Sequence, residues 1–202
     1  MNMVLQGSLL DTVDEVGLRA LGPAIRRTVL AEGAWIDVRL GWLTGADELF
    51  SRLLRDVPWR DERRQMYDRE VAVPRRVSFF DEDDQLPDPV LVHASTLSEP
   101  FRTAGLCLYR HGQDSVAWHG DTIGRGPSQD TMVAITSVGA PRALLLRPRG
   151  GGPGRTIRYV LGHGDLLVMG GSCQRTWEHA IPKTTQPVGQ RISIQFRPRG
   201  VR

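Results

Sequence analysis

The chain has 202 residues, 40% of them hydrophobic, which is enough for one core with at most a small appendage. There is no run of eighteen apolar residues and no signal-peptide pattern from Met1 to Asp11, so we expect a soluble, cytoplasmic protein with no membrane partner. The formal charge is +3 and Lys183 is the only lysine, so the basic side chains are almost all arginine. That excess has two open readings: codon bias, or a surface that grips phosphate through planar, bidentate guanidinium groups. Cys107 and Cys173 form no CxxC pair, which excludes a disulfide framework and disfavours a structural zinc site.

Residues 9 to 31 carry Leu9, Leu10, Val13, Val16, Leu18, Leu21, Ile25 and Val29 among charged residues, and read as short amphipathic helical pieces interrupted by Gly17 and Gly22. Ala34 to Leu40 reads as a strand. A clearer helix spans Ala46 to Val57: Leu49, Phe50, Leu53, Leu54 and Val57 share one face, Thr44 with Asp47 and Glu48 marks its start, and Pro58 stops it. From there to about residue 90 the chain reads as irregular. It is rich in Arg and Asp, with an apolar patch at Val77 to Phe80 and a turn-prone acidic run from Asp81 to Pro89.

Beyond residue 104 short apolar runs alternate with Gly, Pro and Asp. Strands are expected at Leu106 to Arg110, Ser115 to His119, Met132 to Val138, Arg142 to Leu146, Arg155 to Val160, Asp165 to Met169 and Arg191 to Arg197, with a glycine-rich loop at 150 to 154. Ile192, Ile194 and Phe196 alternate with Ser193, Gln195 and Arg197, the period-two pattern of a half-buried strand. The expected fold is mainly β with some α: a double-stranded β-helix, or jelly roll, with N-terminal helices packed against the sheet. We expect a single domain over residues 1 to 202, with 1 to 100 a helical or lid extension and 101 to 198 the catalytic core. A monomer is expected.

His119-Gly120-Asp121 places an imidazole and a carboxylate two residues apart at a strand end, where alternate side chains share a face. His179, after a further strand, can complete a two-His, one-carboxylate face that leaves three positions of a ferrous ion open. Zinc fits less well because no fourth protein ligand is in view. An isolated His-x-Asp recurs by chance, and a second copy stands at His163-Gly164-Asp165; we read it as a turn before the buried strand Leu166 to Met169. His93 and His111 lack partners at useful spacing.

Arg191 and Arg197 share a face of the last strand, flanking Ser193 and Gln195. Either that face is solvated or the two cations point inward and need an anion. A dicarboxylate such as 2-oxoglutarate would meet the need, one end on the metal and the other on a bidentate guanidinium.

These residues resemble the AlkB family of Fe(II)/2-oxoglutarate dioxygenases, and in particular its DNA- and RNA-dealkylating branch. The resemblance runs through Leu108-Tyr109-Arg110, Asp114-Ser115-Val116, Trp118, His119 and Asp121, resumes at Gly164 to Gly170, Gln174, Trp177, His179 and Pro182-Lys183, and ends on the R-x5-R strand. It implies that His119, Asp121 and His179 are the catalytic metal ligands. Arg191 would pair with the distal carboxylate of 2-oxoglutarate, Tyr109 would hydrogen-bond to it, and Arg197 would lie near its metal-bound end. Fe(II), 2-oxoglutarate and O2 are the implied cofactor set, and alkylated single-stranded DNA or RNA the implied partner.

The Val77 to Phe80 patch, after Pro74-Arg75, falls where the family keeps a substrate lid. Phe79 or Phe80 is then a candidate to stack on a flipped base, the alternative being plain core. Arg75, Arg76 and Arg125 are candidates for phosphate contacts. Where the family usually carries Asn, this chain has Cys107 and Ser193, which removes polar contacts at the co-substrate. Where relatives place acids after the metal-binding Asp, it has Thr122 and Ile123, the positions we assign to the substrate. The implied reaction is oxidative dealkylation of N-alkylated bases, with release of formaldehyde, succinate and CO2. Two alternatives stay open: a dioxygenase that hydroxylates a protein or small molecule, and a nucleic-acid-binding jelly roll without catalysis.

Overall fold

A computed structural model describes residues 15–66, 69–81, 83–86, 101–122, 126–151 and 156–201. Within them run fourteen strands: β1 (Gly17–Leu18), β2 (Arg26–Val29), β3 (Trp35–Arg39), β4 (Leu43–Thr44), β5 (Arg60–Met66), β6 (Arg69–Phe80), β7 (Phe101–Tyr109), β8 (Val116–His119), β9 (Val133–Gly139), β10 (Arg142–Pro148), β11 (Ile157–Leu161), β12 (Asp165–Gly170), β13 (Trp177–Ile181) and β14 (Arg191–Pro198). Helix α1 covers Ala46–Asp56, and a single turn, α2, covers Cys173–Thr176.

Two antiparallel sheets carry the architecture. The larger has eight strands in the order β2-β3-β12-β9-β14-β7-β6-β5, and the smaller has four in the order β11-β10-β13-β8. They form the expected jelly roll. β14 lies near the middle of the large sheet between β9 and β7, so both its edges are paired, and its side chains are buried on both faces. Ile192, Ile194 and Phe196 project toward α1, where they join Leu49, Leu53, Leu106 and Leu108 in one core. The opposite faces of the same strands look into the space between the sheets, filled by Cys107, Tyr109, Val133, Ile135, Leu144, Leu146 and Trp177. The period-two alternation of β14 is therefore real, but its polar side is buried and not half-solvated.

α1 forms where its apolar spacing demands: Ala46, Leu49 and Leu53 are buried, acids occupy its first turn, and Arg55 its last. Thr44 does not cap it. The residue before the helix is Gly45 at φ 59°, and the Thr44 hydroxyl donates to the Glu15 carbonyl instead.

The N-terminal region departs from expectation. Apart from α1 it is mostly strand, with one-turn 3-10 segments at Gly22–Ala24 and Ala31–Gly33, and residues 9 to 14 lie outside the described set. Gly22 and Pro23 break helical periodicity, and Thr28 and Val29 suit the edge strand β2, which pairs with β3. The stretch read as irregular is the hairpin β5–β6, docked on β7 as the other edge of the large sheet. Its outer strand reads Arg-Asp-Glu-Arg-Arg-Gln-Met, without apolar alternation, because a charged edge strand has little to bury and repels edge-to-edge pairing. The acidic run is described only at 81 and 83–86, and the glycine-rich loop only at 150 and 151. No helix among the described residues is long and apolar enough to cross a membrane.

Leu49 is fully buried between α1 and the sheet. Leu49→Ala is expected to cost about 2–5 kcal/mol through lost contact and a residual cavity, read as a lower denaturant midpoint with an unchanged slope.

Candidate metal centre

β8 and β13 are hydrogen-bonded neighbours, and their register sets His119 opposite His179. The two imidazole centroids are 4.1 Å apart. Asp121 follows β8 by two residues, and its Oδ1 comes within 3.8 Å of His119 Nε2. One ligand atom from each of the three side chains falls within 4.8 Å of the others, a cluster compact enough to share one ion. The ligand-bearing strand β13 was not foreseen, although Trp177, His179 and Ile181 all face inward from it.

Supporting contacts orient each group. His119 Nδ1 is 2.8 Å from the Ala117 carbonyl, so this nitrogen carries the proton and Nε2 faces the cluster with its lone pair. The Asp121 amide donates to Gln174 Oε1 at 2.9 Å. Gly120 makes the turn possible: a Cβ there would stand 2.5 Å from the Gln174 carbonyl oxygen and 2.8 Å from Arg149 Nη2.

The second His-x-Asp is structural. Gly164 takes φ 82°, the His163 ring accepts from the Gly139 amide, and the Asp165 carboxylate accepts from the amides of Gly41 and Gly162. His111 sits in an exposed turn; His93 lies outside the described residues.

The two arginines of β14 both point inward and both are buried. They are satisfied differently. Arg197 donates through Nε to Asp121 Oδ2 at 3.0 Å and through Nη2 to Gln195 Oε1. The anion that answers Arg197 is thus a protein carboxylate, which corrects the expectation that one bound dicarboxylate serves both cations. Arg191 donates through Nε to Ser137 Oγ at 2.8 Å, while its Nη1 and Nη2 are buried without a partner. Its guanidinium lies 5.2 Å from the centroid of the Tyr109 ring. Ser137, a polar residue inside an apolar strand, was missed. Ser193 is buried on the same face, opposite Ser137 and Cys107.

Electrostatics follow from enclosure. Burial pushes the His179 imidazole down to about 3, helped by the neighbouring His119, so its lone pair is free. Burial alone would raise the Asp121 carboxyl, but Arg197 and the two imidazoles outweigh it and hold it ionised below the usual range. Burial and Cys107 push the Tyr109 phenol up to about 12, leaving it protonated and able to donate.

The assigned substrate residues divide. Val77 is buried between the sheets, Phe79 on the same face of β6 is 55% exposed beside Gly105, and Phe80 turns to the other face and packs into the α1 core. Thr122 is exposed at the rim of a cavity of about 270 Å³ beside Asp121, whose walls include Gln129, Thr131, Gln174 and Arg175. Arg175 is ion-paired to Asp130 at 2.6 Å. Ile123 and Arg125 lie outside the described residues. Arg76 is on the outer surface, bonded to Asp61 at 3.2 Å. Arg75 turns inward instead and donates to the Ser115 carbonyl at 3.2 Å, so the expectation of a phosphate contact is not met there.

Two outcomes follow from this geometry. Gly120→Ala is expected to weaken metal binding at least about ten-fold while unfolding stays cooperative, measured by metal titration beside a melting curve, because the clash displaces both His119 and Asp121. In chelator-treated protein, unfolded His179 takes up a proton near pH 6.5 and folded His179 only near 3. Its contribution therefore falls as pH drops below about 6.5, by about 1.4 kcal/mol per pH unit for this one group. Depressed Asp121 adds loss of the same sign below the ordinary aspartate range. Unfolding midpoints at several pH values, set against His179→Gln, read out the His179 share; a slope that the variant does not flatten would contradict it.

Comparison with known proteins agrees with this geometry. Residues 84–197 match the model of the 2OG-Fe(II) oxygenase superfamily. The bovine alpha-ketoglutarate-dependent dioxygenase alkB homolog 3 is 32% identical over 93% of this chain and 70% of its own length. The human counterpart is 29% identical over the same shares, and an Arabidopsis thaliana protein named DNA oxidative demethylase ALKBH2 is 33% identical over 48% of this chain and 37% of its own. Among solved structures, OsALKBH1 superimposes with a TM-score of 0.60 at 11% identity over 86% of this chain and all of that one, which speaks to the fold. A jelly roll, a His-Asp-His cluster, a buried arginine with two unanswered nitrogens, and these relatives together make the chain a member of the 2OG-Fe(II) oxygenase superfamily, an AlkB-like Fe(II)- and 2-oxoglutarate-dependent dioxygenase.

Proposed function

We propose that this dioxygenase removes alkyl groups from ring nitrogens of bases in DNA or RNA, acting on single strands or on bases flipped out of a duplex. In this reading His119, Asp121 and His179 hold Fe(II). Arg191 offers its two free Nη groups to the distal carboxylate of 2-oxoglutarate, and the protonated Tyr109 hydroxyl donates to the same co-substrate. The fit rests on the donor set: two imidazole rings, an ionised carboxylate, and a buried guanidinium with two nitrogens lacking an acceptor. Ser193 lines the pocket, and Arg197 fixes the Asp121 carboxylate near the metal-facing end of the co-substrate. When bound, iron with 2-oxoglutarate and O2 supplies the oxidant that hydroxylates the N-alkyl carbon, which then leaves as formaldehyde alongside succinate and CO2.

The nucleobase reading is carried by Phe79. A large aromatic ring 55% exposed, on the strand face that turns inward at Val77, offers a flat surface at the mouth of the site. An extruded base needs such a surface in exchange for its lost stacking. Thr122, with Ile123 beyond it, would meet the edge of the base. Arg76, exposed on the hairpin, is placed for a backbone phosphate. The names of relatives such as DNA oxidative demethylase ALKBH2 support the same class of substrate. We also propose that the N-terminal residues belong to one domain with the catalytic strands, since β2, β3, β5 and β6 complete both edges of the large sheet.

One feature favours a second reading, hydroxylation of a protein or small molecule: the cavity beside Asp121 is lined by Thr122, Gln129 and Gln174, and Arg175, the one cation among its described walls, is already paired. A single assay separates the two. With Fe(II), 2-oxoglutarate and a single-stranded oligonucleotide bearing 1-methyladenine or 3-methylcytosine, we expect formaldehyde and a mass loss of one methylene. Replacing His119 and Asp121 by Ala should abolish both. Phe79→Ala should lower kcat/KM for the oligonucleotide by about 5–100-fold, the worth of one stacked base, with succinate formation in the absence of substrate unchanged. Absence of demethylation by the active, iron-loaded protein would move the assignment to the second reading.

A further inference from the structure

The inner face of the large sheet holds a third guanidinium that the reaction scheme above leaves unused. Tyr109 on β7 is flanked by arginines on both neighbouring strands. Arg191 of β14 pairs with it directly. On the other side, the β6–β7 pairing runs from Phe80↔Ala104 to Arg76↔Leu108, and Arg75 is the next residue, opposite Tyr109. Alternation sends Arg75 to the face of Val77, which is buried between the sheets, while Arg76 goes to the outer face and meets Asp61.

Arg75 is also poorly satisfied. Its Nη1 donates to the Ser115 carbonyl at 3.2 Å, but its Nε is buried and has no partner. Its side chain lies close enough to Cys107 and Tyr109 to interact with both, and Glu62 on β5 offsets part of its charge. Buried N–H groups on a cation are costly to leave unanswered. Arg191 presents the same deficit across Tyr109, with Nη1 and Nη2 unanswered. The next inward-facing row holds the short side chains of Cys107 and Ser193, which are paired across β7 and β14. Neither carries an amide, and an anion held at the Tyr109 row meets an arginine on the strand to either side.

We propose that Arg75 is a second co-substrate-binding guanidinium, donating to a carboxylate of the 2-oxoglutarate that Arg191 anchors. The inference rests on the co-substrate reading of Arg191 given above. A free dicarboxylate suits inward-facing guanidiniums whose N–H groups are unanswered. A backbone phosphate carries a sugar on either side and suits an exposed, solvated arginine such as Arg76. Arg75 thereby supplies hydrogen bonds where Cys107 and Ser193 are too short to do so.

The test is calorimetric titration of 2-oxoglutarate into Mn(II)-loaded protein, which reads binding without turnover. Arg75→Met should weaken the dissociation constant by about 10–100-fold, the worth of a charge-assisted hydrogen bond, and Arg75→Lys should recover part of the loss. Affinity for a single-stranded oligonucleotide and its salt dependence should not change. Circular dichroism checks folding; if Arg75→Met does not fold, Arg75→Gln, which keeps a donor toward the Ser115 carbonyl, makes the same comparison. Wild-type affinity retained within about two-fold in the variant overturns the assignment, as does a loss confined to oligonucleotide affinity with a shallower salt slope. Failure of the wild-type protein itself to bind 2-oxoglutarate would remove the co-substrate reading along with it, and so is distinct from failure of Arg75 alone.

Discussion

A strand that is buried on both faces and carries an arginine at each end sets the terms for this molecule. Ordinary packing cannot accommodate that charge; it has to be answered group by group. At one end the ion pair between Arg197 and Asp121 does so at 3.0 Å, and it ties the central strand of the large sheet to the turn after β8. The same contact orients one carboxylate oxygen away from the ion site and leaves the other free. At the opposite end Arg191 is answered only in part, by Ser137, and two of its nitrogens stay open. The difference between the two ends distinguishes a structural cation from one that awaits a ligand.

The remaining geometry is a consequence of sheet register. Antiparallel pairing of β13 with β8 puts the two imidazoles side by side, and pairing of β14 with β7 and β9 lines up Arg191, Tyr109 and Gly139 in one row. Gly139, at φ 89°, lets the Gln190 carbonyl and Phe50 come too close for any Cβ, so the chain turns tightly where the row ends. Enclosure between the sheets then sets the protonation states: a neutral His179, an ionised Asp121 and a protonated Tyr109. A slip of one residue in β14 would turn Ile192, Ile194 and Phe196 to the inner face and deliver both arginines into the α1 core. The hydrophobic faces thus protect the register on which the site depends. Arg142 adds to this by tying the carbonyls of His111, Asp114 and Pro182 together across the minor sheet.

The chain's own residues were enough to single out His119, Asp121 and His179, the jelly-roll strands after residue 104 other than β13, helix α1, and the structural nature of His163 and Asp165. Most of these rest on a local signal, a spacing of two, an apolar period or a glycine at a turn, whereas His179 was tied to the other two ligands by the family resemblance. The alternation in β14 likewise marked Arg191 and Arg197 as sharing a face. What local signals could not decide was which medium that face meets, because a period of two is the same for a solvated and an enclosed side. Only the smaller sheet closing over it excludes water. The hairpin β5–β6 was invisible for the complementary reason, since an edge strand of charged residues has no apolar period to read. The same closure separated Phe79 from Phe80, turned Arg75 inward, and gave Arg197 a protein carboxylate while leaving two nitrogens of Arg191 without an acceptor. Those outcomes depend on contacts between strands far apart in the chain, and such contacts exist only once the two sheets have met.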